Sequence, residues 1–115
     1  ETPMNLSYSS PYEIIHFITQ LLEDKKAEDI MVIDMKEKLA IIDYMVIASG
    51  LSNRQVAALA DYVSYKLKQE GLSVHLEGLE QSEWVLIDAG DVIVHIFKPE
   101  ARAFYNLEKM WAGPD

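Results

Sequence analysis

Two carboxylates and an imidazole lie close together in the C-terminal part of the chain, at Asp88, Asp91 and His95. Such side chains bind divalent metals and transfer protons, so a hairpin that brought them together could form a metal or acid–base cluster. On a strand, however, His95 lies about 13 Å from Asp91 at the usual rise per residue. Acids that flank a tight turn are also common as solvated turn residues. We therefore predict neither a catalytic residue nor a metal site here.

The segment ASGLSNRQ, residues 48–55, is the second candidate for chemistry. It places a glycine between a strand end and a helix N-terminus, whose free N–H groups favour an anion. The segment faintly resembles the glycine-serine motif of nucleotidyltransferases. The next acid, Asp61, falls within the helix, and no Asp-x-Asp pair follows on a strand to hold the Mg²⁺ that nucleotide transfer needs. Helix capping is the better interpretation, and we expect no cofactor.

The first half of the chain is predicted to form a helix followed by two strands. Ser10 and Glu13 match a capping box, and apolar residues at helical spacing predict a helix over residues 10–27. The β-branched runs at 29–35 and 39–49 are separated by a short charged turn. This pattern indicates two antiparallel strands.

A second helix and a crossover strand are predicted next. Ser52 and Gln55 match another capping box, and apolar residues continue at helical spacing to Gly71, a natural C-terminal stop. The short run LSVHL, residues 72–76, is then expected to lie parallel to the strand that ends near Ala48, through a right-handed crossover.

A hairpin and a last helix complete the predicted fold. Strands over 84–88 and 91–97 flank a tight turn at Ala89 and Gly90. Apolar residues at helical spacing then predict a final helix: Phe104, Leu107, Met110 and Trp111. The element order is α-β-β-α-β-β-β-α. We predict an α/β fold with a single mixed sheet of about five strands and flanking helices.

The hairpin is predicted to have two unlike faces, because side chains alternate along a strand. A two-residue turn would pair Asp88 with Asp91, Leu86 with Ile93, and Trp84 with His95. One face is aliphatic and belongs in the core: Val85, Ile87, Val92, Val94 and Ile96. The other, here called the mixed face, carries Trp84, Leu86, Ile93, His95 and Phe97, with Asp88 and Asp91 near the turn.

Two interpretations of the mixed face remain open. The last helix could cover it and bury Trp84 in the core. Alternatively, large aromatics beside a few polar groups, with acids at the border, match the centre and rim of a protein interface. The assignment depends on the register, since a slip of one residue would exchange the two faces.

Composition indicates a single globular domain over residues 10–115, preceded by a flexible N-terminus over residues 1–9. Residues 1–3 precede Met4 and are left out of the interpretation as a candidate expression remnant. The chain has no cysteine, which excludes disulfides and thiolate chemistry and allows a reducing compartment. No apolar stretch approaches the length of a membrane helix. We therefore expect a cytoplasmic protein with no membrane partner.

The charge balance favours a protein partner over nucleic acid. With 19 acidic and 10 basic residues, the formal net charge is −9. Affinity for a phosphate backbone comes from lysine and arginine, so direct or sequence-specific binding of nucleic acid is disfavoured. A basic protein is the more natural partner, although a charge of this size could also serve solubility alone.

The segment WVLIDAGDVIVHIFKPEARAFYNLEKMW, residues 84–111, resembles the C-terminal signature of the Iojap family, the ribosomal silencing factors RsfS. The matching positions are Trp84, Asp88, Gly90, Asp91, Val94, His95, Phe97, Arg102, Tyr105, Leu107, Glu108 and Trp111. Residues 43–63 resemble the other block of the family, a strand, a serine-containing turn and a helix. One departure lies at residues 53–55, where many relatives carry Arg-His after the serine.

The resemblance implies a non-enzymatic regulator of translation. Members of the family bind the large ribosomal subunit through ribosomal protein L-fourteen and prevent joining with the small subunit when nutrients are scarce. The implied fold is nucleotidyltransferase-like with its catalytic acids missing. Organelle relatives are tied to assembly of the large subunit, which is a near alternative, and a nucleotide-handling enzyme of the same fold is an alternative of another class.

We predict a partner-binding site on the mixed face. The predicted site residues are Trp84, Leu86, Asp88, Asp91, Ile93, His95 and Phe97. Three residues of the last helix rank lower because they could instead brace the hairpin: Arg102, Tyr105 and Glu108. The same face could also pair with itself, so a homodimer away from the ribosome is an open alternative.

Overall fold

A computed structural model of the protein describes residues 10–39, 41–106 and 109, with the backbone alone at positions 104 and 105. Its elements are α1 (Pro11–Asp24), β1 (Glu28–Asp34), β2 (Tyr44–Ser49), α2 (Asn53–Gln69), β3 (His75–Glu77), β4 (Trp84–Asp88), β5 (Val92–Phe97) and α3 (Pro99–Tyr105). The predicted order and the single mixed α/β sheet of five strands are confirmed. The predictions for residues 1–9, Leu107, Glu108, Met110 and Trp111 lie outside the described residues.

The first helix begins at the predicted capping box. The Glu13 backbone N–H donates to Ser10 Oγ at 3.3 Å, and the Ser10 backbone N–H donates to Glu13 Oε1 at 2.9 Å. Such a cap stabilises a helix by about 1 kcal/mol. The apolar stripe of α1 is buried against the sheet: Ile14, Ile15, Ile18, Leu21 and Leu22.

The strands β1 and β2 pair antiparallel, as predicted, but their connection is longer than expected. β2 begins at Tyr44, so residues 35–43 connect the strands, in place of the short charged turn. Met35 is buried in this connection, and Leu39 and Ile42 pack with it against the sheet. Leu39 and Ile42 therefore help to cover a sheet face, whereas Ile41 between them is 79% exposed, so this run packs onto the sheet and does not extend β2.

The second helix is capped by Ser52, whose Oγ accepts from the Gln55 backbone N–H at 3.1 Å. The capping box differs from the prediction in its second bond, since Gln55 Oε1 accepts from the Leu51 N–H at 2.7 Å. The helix ends at Gln69, just before Gly71, as predicted. The segment 48–55 thus holds a capped helix start, which confirms helix capping there.

The five strands lie in the order β1-β2-β5-β4-β3. β2 and β5 pair parallel, whereas the other neighbours pair antiparallel. These pairings make β3 run in the direction of β2, as expected, but β5 and β4 lie between them. Helices α1 and α2 cover the sheet face that carries the predicted aliphatic side chains, and together they form the main core.

The hairpin register differs from the prediction by two residues. Trp84 pairs with Phe97, Leu86 with His95, and Asp88 with Ile93. The turn is centred on Gly90 and Asp91, because the Ala89 N–H donates to the Val92 carbonyl at 3.0 Å. Gly90, with φ 93°, takes the first central position, where a type II′ turn requires glycine. The predicted pairs Asp88–Asp91, Leu86–Ile93 and Trp84–His95 were therefore wrong.

Candidate interaction site

The mixed face is one continuous side of the hairpin, as predicted, because a shift of two residues preserves the alternation of side chains. The opposite, aliphatic face is fully covered: Val85, Ile87, Val92, Val94 and Ile96 are each 0% exposed. The register extends the mixed face onto β3, where Glu77 pairs with Leu86 and His75 pairs with Asp88. The mixed face thus runs from β5 to the edge of the sheet.

One half of the mixed face belongs to a second core. Phe97 is 0% exposed and packs with Met35, Ile47 and, from α3, Ala101. Ile93 and His95 are also buried, at 9% and 5% exposure. The prediction that these three side chains contact a partner directly is therefore corrected, since at most 9% of each residue remains exposed.

The other half of the mixed face, here called the open half, is formed by Trp84, Leu86 and Asp88. Each of these side chains is half-buried, and Asp91 beyond them is exposed. The core interpretation therefore holds for the half around Phe97, whereas the interface interpretation stays a prediction for the open half. A helix does cover the half around Phe97, and the half around Trp84 remains accessible in the described part of the chain.

Two neighbouring side chains, His95 and Phe97, hold the indole of Trp84 in place. Its Nε1–H donates to Nδ1 of His95 at 2.9 Å. Its ring stacks on Phe97 with centroids 5.0 Å apart, and the His95 and Phe97 rings are 6.0 Å apart. Because the indole N–H already has its acceptor in His95, Trp84 presents a fixed aromatic surface. A preorganised interface anchor requires such a surface.

Burial of His95 lowers the pKa of its imidazole from 6.5 to about 4. The neutral ring also fits the hydrogen bond, since Nδ1 must be unprotonated to accept from Trp84. His95 is therefore neutral near pH 7, and its Nδ1 is already occupied.

Acidification should destabilise the fold through His95. The unfolded chain takes up this proton below about pH 6.5, whereas the folded chain resists it until about pH 4. The stability is therefore complete above pH 6.5, and on the order of 2 kcal/mol should be lost between pH 7 and about pH 4.5. Urea unfolding at each pH should show the loss in the parent and not in His95→Gln. If the parent and His95→Gln lost stability in parallel as the pH falls, His95 would not be the cause. The matched control is His16→Gln, which removes an exposed imidazole.

Asp88 and Asp91, the two acids near the turn, make different contacts. Asp88 Oδ1 accepts from the Gly90 N–H at 2.9 Å, so this carboxylate fixes the turn. The Asp91 carbonyl accepts from the Asp43 N–H at 2.7 Å, which ties the hairpin tip to the start of β2, while its side chain is exposed. In the described ranges, no three His, Cys, Asp or Glu side chains are grouped so that they could hold a metal.

The lower-ranked residues of the last helix are only partly described. Arg102 Nη1 donates to Ser49 Oγ at 2.7 Å, and Ser49 is 2% exposed. This bond joins α3 to the end of β2, so Arg102 attaches the last helix to the sheet. The Tyr105 side chain and Glu108 lie outside the described residues.

Sequence reasoning did not find Glu77, which the register places on the mixed face beside Leu86. β3 has only three residues, too few for alternation to reveal which side chains share the face of Trp84. In the sequence, the only signal for Glu77 is that an acidic side chain directly precedes a glycine.

None of the helices among residues 10–39 and 41–106 has both the length and the apolar character needed to cross a membrane.

Comparison with known proteins agrees with the resemblance in the sequence. A family model described as "Ribosomal silencing factor during starvation" matches residues 8–115. The chain is similar to ribosomal silencing factor RsfS of Zymomonas mobilis, with 45% identity over 112 residues, covering 96% of this chain and 84% of that protein. It is also 34% identical over 101 residues to a mouse protein named "Mitochondrial assembly of ribosomal large subunit protein 1", covering 84% of this chain and 44% of that protein.

A solved structure shares the fold. The crystal structure of a protein from Chromobacterium violaceum superposes with a TM-score of 0.88 at 42% identity, covering 92% of this chain and 89% of that one. Together with the family match over residues 8–115, these similarities show that the chain belongs to the family of ribosomal silencing factors.

Proposed function

We propose that the chain binds the large ribosomal subunit through ribosomal protein L-fourteen and blocks joining with the small subunit, repressing translation under nutrient limitation. Membership of the silencing-factor family gives the biological setting. The observation that carries the proposal is the open half of the mixed face, where a fixed tryptophan remains accessible in the described part of the chain. The contact residues narrow to Trp84, Leu86 and Asp88, with Asp91 at the border.

The open half has the arrangement of an interface centre with a charged rim. Trp84 and Leu86 supply apolar area, and tryptophan is among the residues that most often dominate binding energy. Asp91 is exposed at the hairpin turn, beyond the border of this surface, and suits a lysine or arginine of the partner. Phe97 and His95 support the surface from beneath and contribute without touching the partner.

The net charge of −9 directs the chain toward protein and away from RNA. Ribosomal proteins are usually basic, so an acidic domain is attracted to them, while the phosphates of the surrounding rRNA repel it. The balance favours a contact with a ribosomal protein at the subunit surface. A blocker of subunit joining must act where ribosomes are, and for a bacterial protein we expect this to be the cytoplasm.

The proposed action is non-enzymatic. Of the three side chains that could form an acid–base cluster, Asp88 holds the turn and His95 is buried with its Nδ1 occupied. Asp91 is exposed at the far side of the turn. The relatives are likewise named for ribosomal silencing and assembly.

A role in large-subunit biogenesis is the second candidate. It is favoured by the mouse relative, whose name refers to assembly of the large subunit. Binding to the same surface would serve either role. Cells that lack the chain should accumulate incomplete large subunits if assembly is the main role, whereas an excess of joined ribosomes during starvation would support silencing.

Co-sedimentation with purified ribosomal particles tests the proposed function. We expect the chain to sediment with isolated large subunits and not with isolated small subunits or joined ribosomes, which lack the free surface. The affinity should fall as salt rises, because opposite charges assist the encounter. Equal binding to small subunits would refute the proposal. Sedimentation of the chain alone would show whether a second copy covers the open half when the ribosome is absent.

Asp91→Lys should chiefly slow association with the large subunit and flatten its salt dependence. Asp91 is exposed at the rim, and a rim charge steers the encounter more than it holds the complex. Stopped-flow association at several salt concentrations provides the measurement. Asp61→Lys is the matched control, since Asp61 is an equally exposed acid on α2, at the opposite side of the sheet. If both variants slow association equally, net charge alone would be responsible.

A further inference from the structure

A shallow depression lies beside Trp84 on the open half of the mixed face. It is lined by Glu77, Gly78, Trp84 and Leu86. Glu77 comes from β3 and pairs in register with Leu86, so both side chains emerge on the same side of the sheet. Gly78 contributes no side chain, and a Cβ at this position would overlap the carbonyl oxygen of Trp84. The depression therefore combines an apolar wall with a carboxylate and stays open at Gly78.

The apolar wall suits a flat cation. The indole of Trp84 is fixed by its hydrogen bond to His95 and its stacking on Phe97. Tryptophan is the aromatic side chain that attracts cations most strongly, and arginine is the cation most often found over it. The stem of a long basic side chain can also cover apolar surface such as Leu86.

The carboxylate of Glu77 is available for such a cation. Glu77 is exposed, and the single side-chain ion pair within 4.0 Å in the described ranges joins Lys36 to Asp34 elsewhere on the molecule. Guanidinium can stack on an aromatic ring while its N–H groups donate to a carboxylate. An ammonium group lacks this planar geometry.

We propose that this depression binds the guanidinium side chain of an arginine on a basic protein partner, with Trp84 beneath the guanidinium and Glu77 as the residue that determines specificity for the cation. The identity of the partner rests on the proposed function, as it would be the ribosomal protein of the large subunit. The chemistry of the depression does not depend on that identity. The two parts can therefore be tested separately.

The first test uses the isolated chain and arginine amide as the probe. The indole N–H resonance of Trp84, assigned with the Trp84→Phe variant, should shift as arginine amide is added. Citrulline amide, which carries a neutral urea in place of the guanidinium, and leucine amide should cause far smaller shifts. Glu77→Gln should reduce the arginine response severalfold. Three outcomes would overturn the proposal. The three probes could cause equal shifts, Glu77→Gln could respond like the parent, or the shift could depend on protein concentration alone.

The second test uses isolated large subunits. Glu77→Gln should weaken binding about tenfold, as loss of a charge-assisted hydrogen bond at an interface does. Asp61→Asn, which removes the same charge from the helical side, should change binding less than twofold, and thermal melts should confirm that both variants fold. Equal losses in the two variants would overturn the role of Glu77. If the parent responds to arginine amide but does not bind large subunits, the depression stands and the proposed function fails.

Discussion

Trp84→Ala is expected to weaken binding to the large subunit about 30-fold or more, as truncation of an aromatic anchor at an interface centre does. The indole forms part of the apolar surface of the open half and is already fixed by His95 and Phe97. Removing it also leaves His95 Nδ1 without its donor, so a stability loss of about 1 to 2 kcal/mol should accompany the change. Affinity must therefore be measured for the folded fraction, with the melting temperature determined in parallel.

Val85→Ala is the matched control for this substitution. Val85 is the next residue of β4, but its side chain points to the aliphatic face and is 0% exposed. Its truncation should cost about 1 to 3 kcal/mol of stability and leave binding by the folded fraction nearly unchanged. If Trp84→Ala instead behaved like Val85→Ala, the tryptophan would be a core residue and the contact would have to be sought on the last helix.

The face assignment could be predicted from sequence because it depends only on alternation. The predicted turn at Ala89 and Gly90 was one residue too early, which moved the pairing by two residues. An even shift changes the cross-strand partners of Trp84 and Leu86 but leaves every side chain on its predicted face. The order and type of the elements could also be predicted from sequence, because local signals mark the ends of the two long helices: Ser10, Ser52 and Gly71.

What sequence could not predict was how far the mixed face would be covered. That depends on contacts between distant segments, such as Met35 and Ala101 meeting at Phe97. The run at 39–43 is as apolar as a strand, and only tertiary packing, in which Leu39 and Ile42 join the second core, decides that it does not extend β2. The position of β3, and with it Glu77, likewise depends on pairing with β4, for which a strand of three residues carries little local signal.

Gly78→Ala should destabilise the domain by about 3 kcal/mol or more. The position has φ 87°, where an L side chain costs about 1 to 2 kcal/mol. An added Cβ would also overlap the carbonyl oxygen of Trp84, which belongs to the backbone and cannot rotate away. Relief requires displacement of the start of β4, with a further cost of about 1 to 3 kcal/mol.

Gly90→Ala separates these two contributions. Its φ of 93° imposes a similar conformational cost, but a Cβ there would meet no heavy atom within 4 Å. Urea unfolding should therefore show a loss of only about 1 to 2 kcal/mol for Gly90→Ala, clearly below that for Gly78→Ala. Because the overlap at Gly78 is with the backbone of Trp84 itself, Gly78→Ala should also weaken large-subunit binding by its folded fraction, whereas Gly90→Ala should not. Equal stability losses in the two variants would mean that the β4 backbone moves at Trp84 without cost. Trp84 would then not be held in a fixed position, which the proposed interface requires.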